Sequence, residues 1–173
     1  VFMRNGNKNS VGINIYGALT DFIITNNIVR NAQSAGFVMD SCRTISRGLI
    51  ASNMIAGGFS PDGFGRDHAM IIKSAGAFPS TGVNSSGAIE ILNNSVLFDG
   101  TSDSSSAFYI MRSNSLSIYN NIFANYGNGY AIMFDEEPNN GVTEFYGSGS
   151  NLLYTRGSNI AKWRGTVCPD LTT

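Results

Sequence analysis

Phe22-Ile-Ile-Thr-Asn-Asn-Ile-Val-Arg-Asn31 reads as two short apolar segments joined by a pair of asparagines. The phrase returns as Leu49-Ile-Ala-Ser-Asn-Met-Ile-Ala56, Glu90-Ile-Leu-Asn-Asn-Ser-Val-Leu97 and Ser117-Ile-Tyr-Asn-Asn-Ile-Phe-Ala124, and more weakly as Tyr146-Gly-Ser-Gly-Ser-Asn-Leu-Leu-Tyr154. Its central asparagines fall at 27, 53, 94, 121 and 151, in steps of 26, 41, 27 and 30 residues, so one repeat carries insertions. A second phrase interleaves with the first: Gly12-Ile-Asn-Ile-Tyr16, Gly36-Phe-Val-Met-Asp40, Ala69-Met-Ile-Ile-Lys73, Ala107-Phe-Tyr-Ile-Met111 and Ala131-Ile-Met-Phe-Asp135. Its period of two predicts half-buried strands.

Three short strands per repeat predict an all-β fold, a right-handed parallel β-helix built as a single-stranded solenoid of about five coils. One such coil cannot bury its own apolar side chains. Stacked in parallel at about 4.8 Å, each inward residue meets the same position above and below. The asparagines at the bend between second and third strands are expected to form a ladder of buried amides, with Asn preferred there because it tolerates left-handed backbone angles. An antiparallel sandwich explains the number of strands but not the recurrence of Asn between apolar dipeptides.

The coils Ile24-Thr-Asn-Asn-Ile28, Ile91-Leu-Asn-Asn-Ser95 and Ile118-Tyr-Asn-Asn-Ile122 resemble the repeat of the pectate-lyase-like superfamily, and Asn151-Leu-Leu-Tyr154 with Ile160-Ala-Lys-Trp-Arg-Gly-Thr166 resembles the end of such a domain in secreted bacterial proteins. The resemblance covers residues 11 to 166 and implies an extracellular or cell-surface protein that handles polysaccharide. Because that superfamily holds lyases, hydrolases, epimerases, tailspikes and adhesins, it implies a fold more than an activity. The expected organisation is a lead-in over 1–10, coils over 11–157 and a tail or cap over 158–173. Trp163 is expected to cover the last coil.

With 42% hydrophobic and 13% charged residues the chain is not disordered, and 20 Gly, 20 Asn and 21 Ser beside only three Lys and four Glu argue against long surface helices. A net charge of −1, with basic residues scattered, offers no footprint for nucleic acid or an anionic membrane. No apolar run reaches the roughly 18 residues of a membrane span. Cys42 and Cys168 are expected as two unpaired thiols. The chain starts in mid-pattern and ends without a closing element, so further coils or a self-association partner are expected at the N-terminal end.

In the first strand of each repeat, alternation places Ile13, Ile15, Phe37, Met39, Met70, Ile72, Phe108, Ile110, Ile132 and Phe134 inward. Outward it places Asn14, Val38, Ile71, Tyr109 and Met133, and a more chemical column of Tyr16, Asp40, Lys73, Met111 and Asp135. Arg43, Arg47 and Arg112 follow these strands. The insertion Phe59-Ser-Pro-Asp-Gly-Phe-Gly-Arg-Asp-His68, holding the single histidine, is expected as a loop beside Lys73.

A glycoside hydrolase needs two carboxylates roughly 5 to 9.5 Å apart. Asp40 and Asp135 lie three coils apart, about 14 Å, so such a reaction would have to draw on Asp62 or Asp67. Eliminative cleavage of a uronate polymer needs a cation for the sugar carboxylate and a base for the adjacent carbon acid, for which Lys73, His68 and Arg112 are the right types. Asp40, Tyr16, Tyr109, Arg43 and Asp135 are the corresponding substrate-binding candidates. The plainer account of Lys73 is a cross-strand ion pair with Asp40. Asp40, Asp62 and Asp67 offer oxygens to calcium without a calcium-loop spacing, so no cofactor is expected. The expectations are therefore a lyase-like enzyme, a non-catalytic carbohydrate-binding or adhesive shaft, or a fragment whose active coils lie elsewhere.

Overall fold

A computed structural model describes residues 11–17, 19–32, 34–42, 47–57, 67–75, 89–100, 102–113, 115–135 and 145–169. These residues form strands and connections without a helix. The strands are β1 (Val11–Tyr16), β2 (Asp21–Thr25), β3 (Ile28–Arg30), β4 (Ala35–Asp40), β5 (Arg47–Ala51), β6 (Met54–Gly57), β7 (His68–Lys73), β8 (Ile89–Leu92), β9 (Ser95–Phe98), β10 (Ser106–Met111), β11 (Leu116–Tyr119), β12 (Ile122–Asn125), β13 (Tyr130–Asp135), β14 (Phe145–Gly149), β15 (Leu152–Thr155), β16 (Ala161–Trp163) and β17 (Thr166–Cys168).

Every third strand pairs with its predecessor, which makes three sheets. Sheet A runs β1-β4-β7-β10-β13-β16-β17, sheet B β2-β5-β8-β11-β14 and sheet C β3-β6-β9-β12-β15. All pairings are parallel except β16 with β17, a closing hairpin. Three strands per turn and three parallel sheets make a five-coil solenoid, as the repeat predicts.

The inward side chains of the three sheets meet in one core, in which Phe37, Met39, Met70, Ile72, Phe108 and Ile110 of sheet A face Ile50, Ile91 and Ile118 of sheet B and Ile55, Val96 and Phe123 of sheet C. The bend between sheets B and C carries the ladder. Asn27, Asn53, Asn94 and Asn121 each donate both the backbone N–H and Nδ2 to Oδ1 of the next asparagine, ending at Asn151, with all eight distances between 2.9 and 3.0 Å. The remaining Nδ2 hydrogens of Asn53, Asn94, Asn121 and Asn151 go to the carbonyls of Ile24, Ile50, Ile91 and Ile118, one coil back. The left-handed residue at this bend is the one before the ladder: Asn26, Ser52, Asn93, Asn120 and Ser150, with φ between 53° and 58°. The sequence expectation is corrected on this point. Backbone conformation selects Asn or Ser at the first position, whereas the ladder position needs an amide, whose oxygen accepts two bonds from the coil below while its nitrogen donates to the coil above and back to a carbonyl below.

The bend from sheet C back to sheet A is held by a different asparagine. Asn125, with no exposed surface, accepts from Gly127 N (2.9 Å) and Gly100 N (3.2 Å) through Oδ1, and donates Nδ2 to Ser105 Oγ (3.0 Å) and the Tyr130 carbonyl (3.2 Å). Thr155 takes the equivalent place in the next coil, donating Oγ1 to the Gly129 carbonyl (2.6 Å) and accepting from Gly157 N (3.0 Å).

Candidate functional site

The first strand of each coil departs from strict alternation, and the departure sets what its outer face presents. A Cβ on Gly12 would collide with Val29, and one on Gly36 with Ile55, so both positions point into the core, as do Ala69 and Ala107. Yet the next residue, Phe37, Met70 or Phe108, is also inward. Two consecutive inward residues fit only because the first is Gly or Ala. The residue before them therefore faces outward, and this places His68 on the outer face of sheet A at the start of β7.

His68 stacks flat on Tyr109 of the next coil, with ring centroids 4.2 Å apart and planes 5° from parallel, while its Nδ1 shares a hydrogen bond of 2.9 Å with Ser106 Oγ. Ser106 is its register partner and is fully buried. Burial, with Lys162 adding repulsion, pushes the imidazole pKa down to about 4, so the ring is neutral near pH 7. The Tyr109 hydroxyl donates to Asp135 Oδ2 (3.4 Å), and Asp135 Oδ1 lies 3.6 Å from Lys162 Nζ. Burial and the Asp135 carboxylate push the Tyr109 hydroxyl up to about 12. His68, Tyr109, Asp135 and Lys162 thus form one chain of contacts climbing four coils.

The other end of the same strands carries Tyr16, Asp40, Lys73, Met111 and Asp135, in register as alternation predicts. Tyr16 is 76% exposed. Asp40 Oδ1 accepts from Ser41 Oγ at 3.0 Å. The plainer account of Lys73 is not what the structure shows: among the described residues Lys73 forms no ion pair with its neighbour Asp40. Arg112 follows β10 in a left-handed conformation (φ 48°), stacked over Ser74 (φ 51°) and Ser41 (φ 56°) at the first bend. Between the two polar ends, outward Val38 and Ile71 are 1% and 5% exposed and pack with Ala35, Val11 and Tyr109, so the middle of this face is apolar and covered.

Arg112 follows Met111, the register partner of Lys73, but His68 is not brought to Lys73. His68 and Lys73 share an outer face but stand five residues apart at opposite ends of β7, about 16 Å along an extended strand. That is beyond hydrogen-bond reach of one sugar unit. Asp40 and Asp135 are three coils apart as expected, too far for a hydrolase pair. Arg43, Asp62 and the insertion from 58 to 66 lie outside the described residues, and among those described no group of three or more His, Cys, Asp or Glu is placed to hold a metal ion.

Ser106 and Lys162 are the site residues that sequence reasoning passes over. Lys162 was legible in principle, because Ala161-Lys162-Trp163 repeats the pattern of Ile132-Met133-Phe134, and the two segments pair in that register. Trp163 accordingly packs against Phe134, its register partner, with centroids 4.7 Å apart and ring planes inclined by 56°.

No family model, no curated protein and no solved structure matches this chain.

Proposed function

We propose that this chain is a right-handed, pectate-lyase-like β-helix that holds an acidic or mixed-charge polysaccharide along the outer face of sheet A without cleaving it, at the cell surface or outside the cell. The observation that carries the reading is the lower polar column. Asp40 and Lys73 are adjacent in register, yet among the described residues the carboxylate's side-chain partner is Ser41 and the ammonium pairs with no acid, so both can meet hydroxyls and carboxylates of a ligand. Exposed Tyr16 sits one coil below Asp40 and offers a ring face for stacking.

Lyase chemistry finds less support. The only imidazole is held by Ser106 and Tyr109 far from Lys73, and Tyr109 has its hydroxyl pKa raised, which disfavours the anion a base would need.

Affinity electrophoresis through gels containing uronate polymers tests the reading, with absorbance of unsaturated products followed in parallel. The expected result is retardation that weakens in Lys73→Ala, with no rise in absorbance. Absence of retardation on every polymer overturns the binding function, and a Lys73-dependent rise in absorbance replaces it with the lyase.

A further inference from the structure

The outer face of sheet C and the bend beyond it carry a second cluster of exposed chemistry. Val96, Phe98 and Phe123 point into the core, and Asn125 pairs in register with Phe98 and Thr155. The position that follows stacks Asp99, Tyr126 and Arg156 in one column, continued by hydrogen bonds from Tyr126 N to the Phe98 carbonyl (2.7 Å) and from Arg156 N to the Asn125 carbonyl (3.2 Å). Tyr154 lies beside this column, in register with small Ala124. The rings of Tyr126 and Tyr154 stand 5.3 Å apart at 50°, and the Arg156 guanidinium lies 5.7 Å from the Tyr126 centroid. Both tyrosines are more than 40% exposed.

Two properties separate this cluster from scattered surface aromatics. The first is rigidity: Asn125 and Thr155 pin the backbone on either side of Tyr126 and Arg156, and Gly127 and Gly157 nest directly against the carbonyls of Gly100 and Asn128. The second is unused bonding capacity. Among the described residues, the Tyr126 and Tyr154 hydroxyls, the Arg156 guanidinium and the Asp99 carboxylate make no hydrogen bond or ion pair.

We propose that Asp99, Tyr126, Tyr154 and Arg156 form a binding site for a short uronate-containing oligosaccharide. The ligand's C–H faces lie on the two rings, its carboxylate pairs with Arg156, and its hydroxyls reach Asp99, two coils or about 9.6 Å from Arg156 along the axis. A polyphosphate is disfavoured by Asp99 in the same column and by the chain's net charge of −1. The site is on a different sheet from the face proposed above and does not depend on that reading.

Isothermal titration of the whole chain with trigalacturonate, with its methyl ester and with an oligothymidylate tests the site. Tyr126→Ala and Tyr154→Ala are each expected to weaken trigalacturonate binding by about tenfold, which corresponds to about 1.4 kcal/mol. Arg156→Leu should erase the preference for the free acid over the ester, with partial recovery in Arg156→Lys. Lys73→Ala removes only what the outer face of sheet A binds, so the Arg156-dependent preference for the free acid should persist in it. Should an Ala variant not fold, Tyr126→Phe, which keeps the ring, is expected to retain most of the affinity. Failure of the wild-type chain to bind trigalacturonate, binding lost in Lys73→Ala but kept in a Tyr126→Ala, Tyr154→Ala double variant, or a preference for the oligothymidylate would each overturn the proposal.

Discussion

Replacing Asn121 by leucine removes an amide of nearly the same shape from the centre of the ladder, and the structure allows the cost to be worked out bond by bond. Asn121 is 1% exposed. Its Oδ1 accepts from Asn94 N (2.9 Å) and Asn94 Nδ2 (3.0 Å), and its Nδ2 donates to the carbonyls of Ile91 (2.8 Å) and Tyr119 (2.9 Å) and to Asn151 Oδ1 (3.0 Å). Leucine strands the Asn94 N–H and one Nδ2 hydrogen of a buried residue, at about 1–3 kcal/mol each. The added apolar burial offsets about 1–2 kcal/mol. The net expectation is a loss of about 1–4 kcal/mol, read from the midpoint of urea unfolding at constant m-value. Asn27 is the internal control, because at the end of the ladder it donates to Asn53 and Thr25 but no ladder asparagine donates to it, and it is only half-buried. Asn27→Leu should therefore cost less than about 1 kcal/mol. Equal losses for the two variants would refute the argument that reciprocal amide bonding, rather than mere volume at the bend, stabilises the coil stack.

Stability should depend on pH through His68. Its folded pKa of about 4 lies below the ordinary 6.5, so the unfolded chain binds the extra proton, and stability present above pH 6.5 is lost by up to about 1.4 kcal/mol per pH unit as pH falls toward 4. His68→Phe, which keeps a ring on Tyr109, should flatten that limb in unfolding curves at pH 7 and pH 5, and an unchanged slope would argue against the buried neutral imidazole. Gly127→Ala should cost about 2 kcal/mol or more in thermal unfolding, since its Cβ would meet the Gly100 carbonyl, and a variant as stable as wild type would contradict the nested bend. Thiol titration of the unfolded, unreduced chain should find two free groups, while in the folded chain buried Cys42, its pKa raised by burial and by Asp40, should react far more slowly than Cys168; no titratable group at all would show a disulfide within the chain instead.

Much of the architecture could be read from residue order alone. The Asn positions at 27, 53, 94, 121 and 151 locate one bend per coil, and alternation in Ala69-Met-Ile-Ile-Lys73 and its equivalents yields both the inward column and the register of Tyr16, Asp40, Lys73, Met111 and Asp135. These features are local and repeated, and insertions between strands leave them intact, because a solenoid stacks like on like whatever the loop length. The chemistry of the faces was decided by tertiary structure. His68 points outward only because Ala69 and Met70 both turn inward, a choice set by the space left beneath sheet C and invisible to a period of two. Its partners Ser106 and Tyr109 are 38 and 41 residues away, and Asp135 meets Lys162 across 27; the repeat sets these strands side by side, but which outer side chains touch depends on rotamers that residue order does not specify. Asp40 and Lys73 show the opposite limit: order makes them neighbours, but whether two flexible, solvated side chains join depends on rotamers and solvation, which only the folded surface determines.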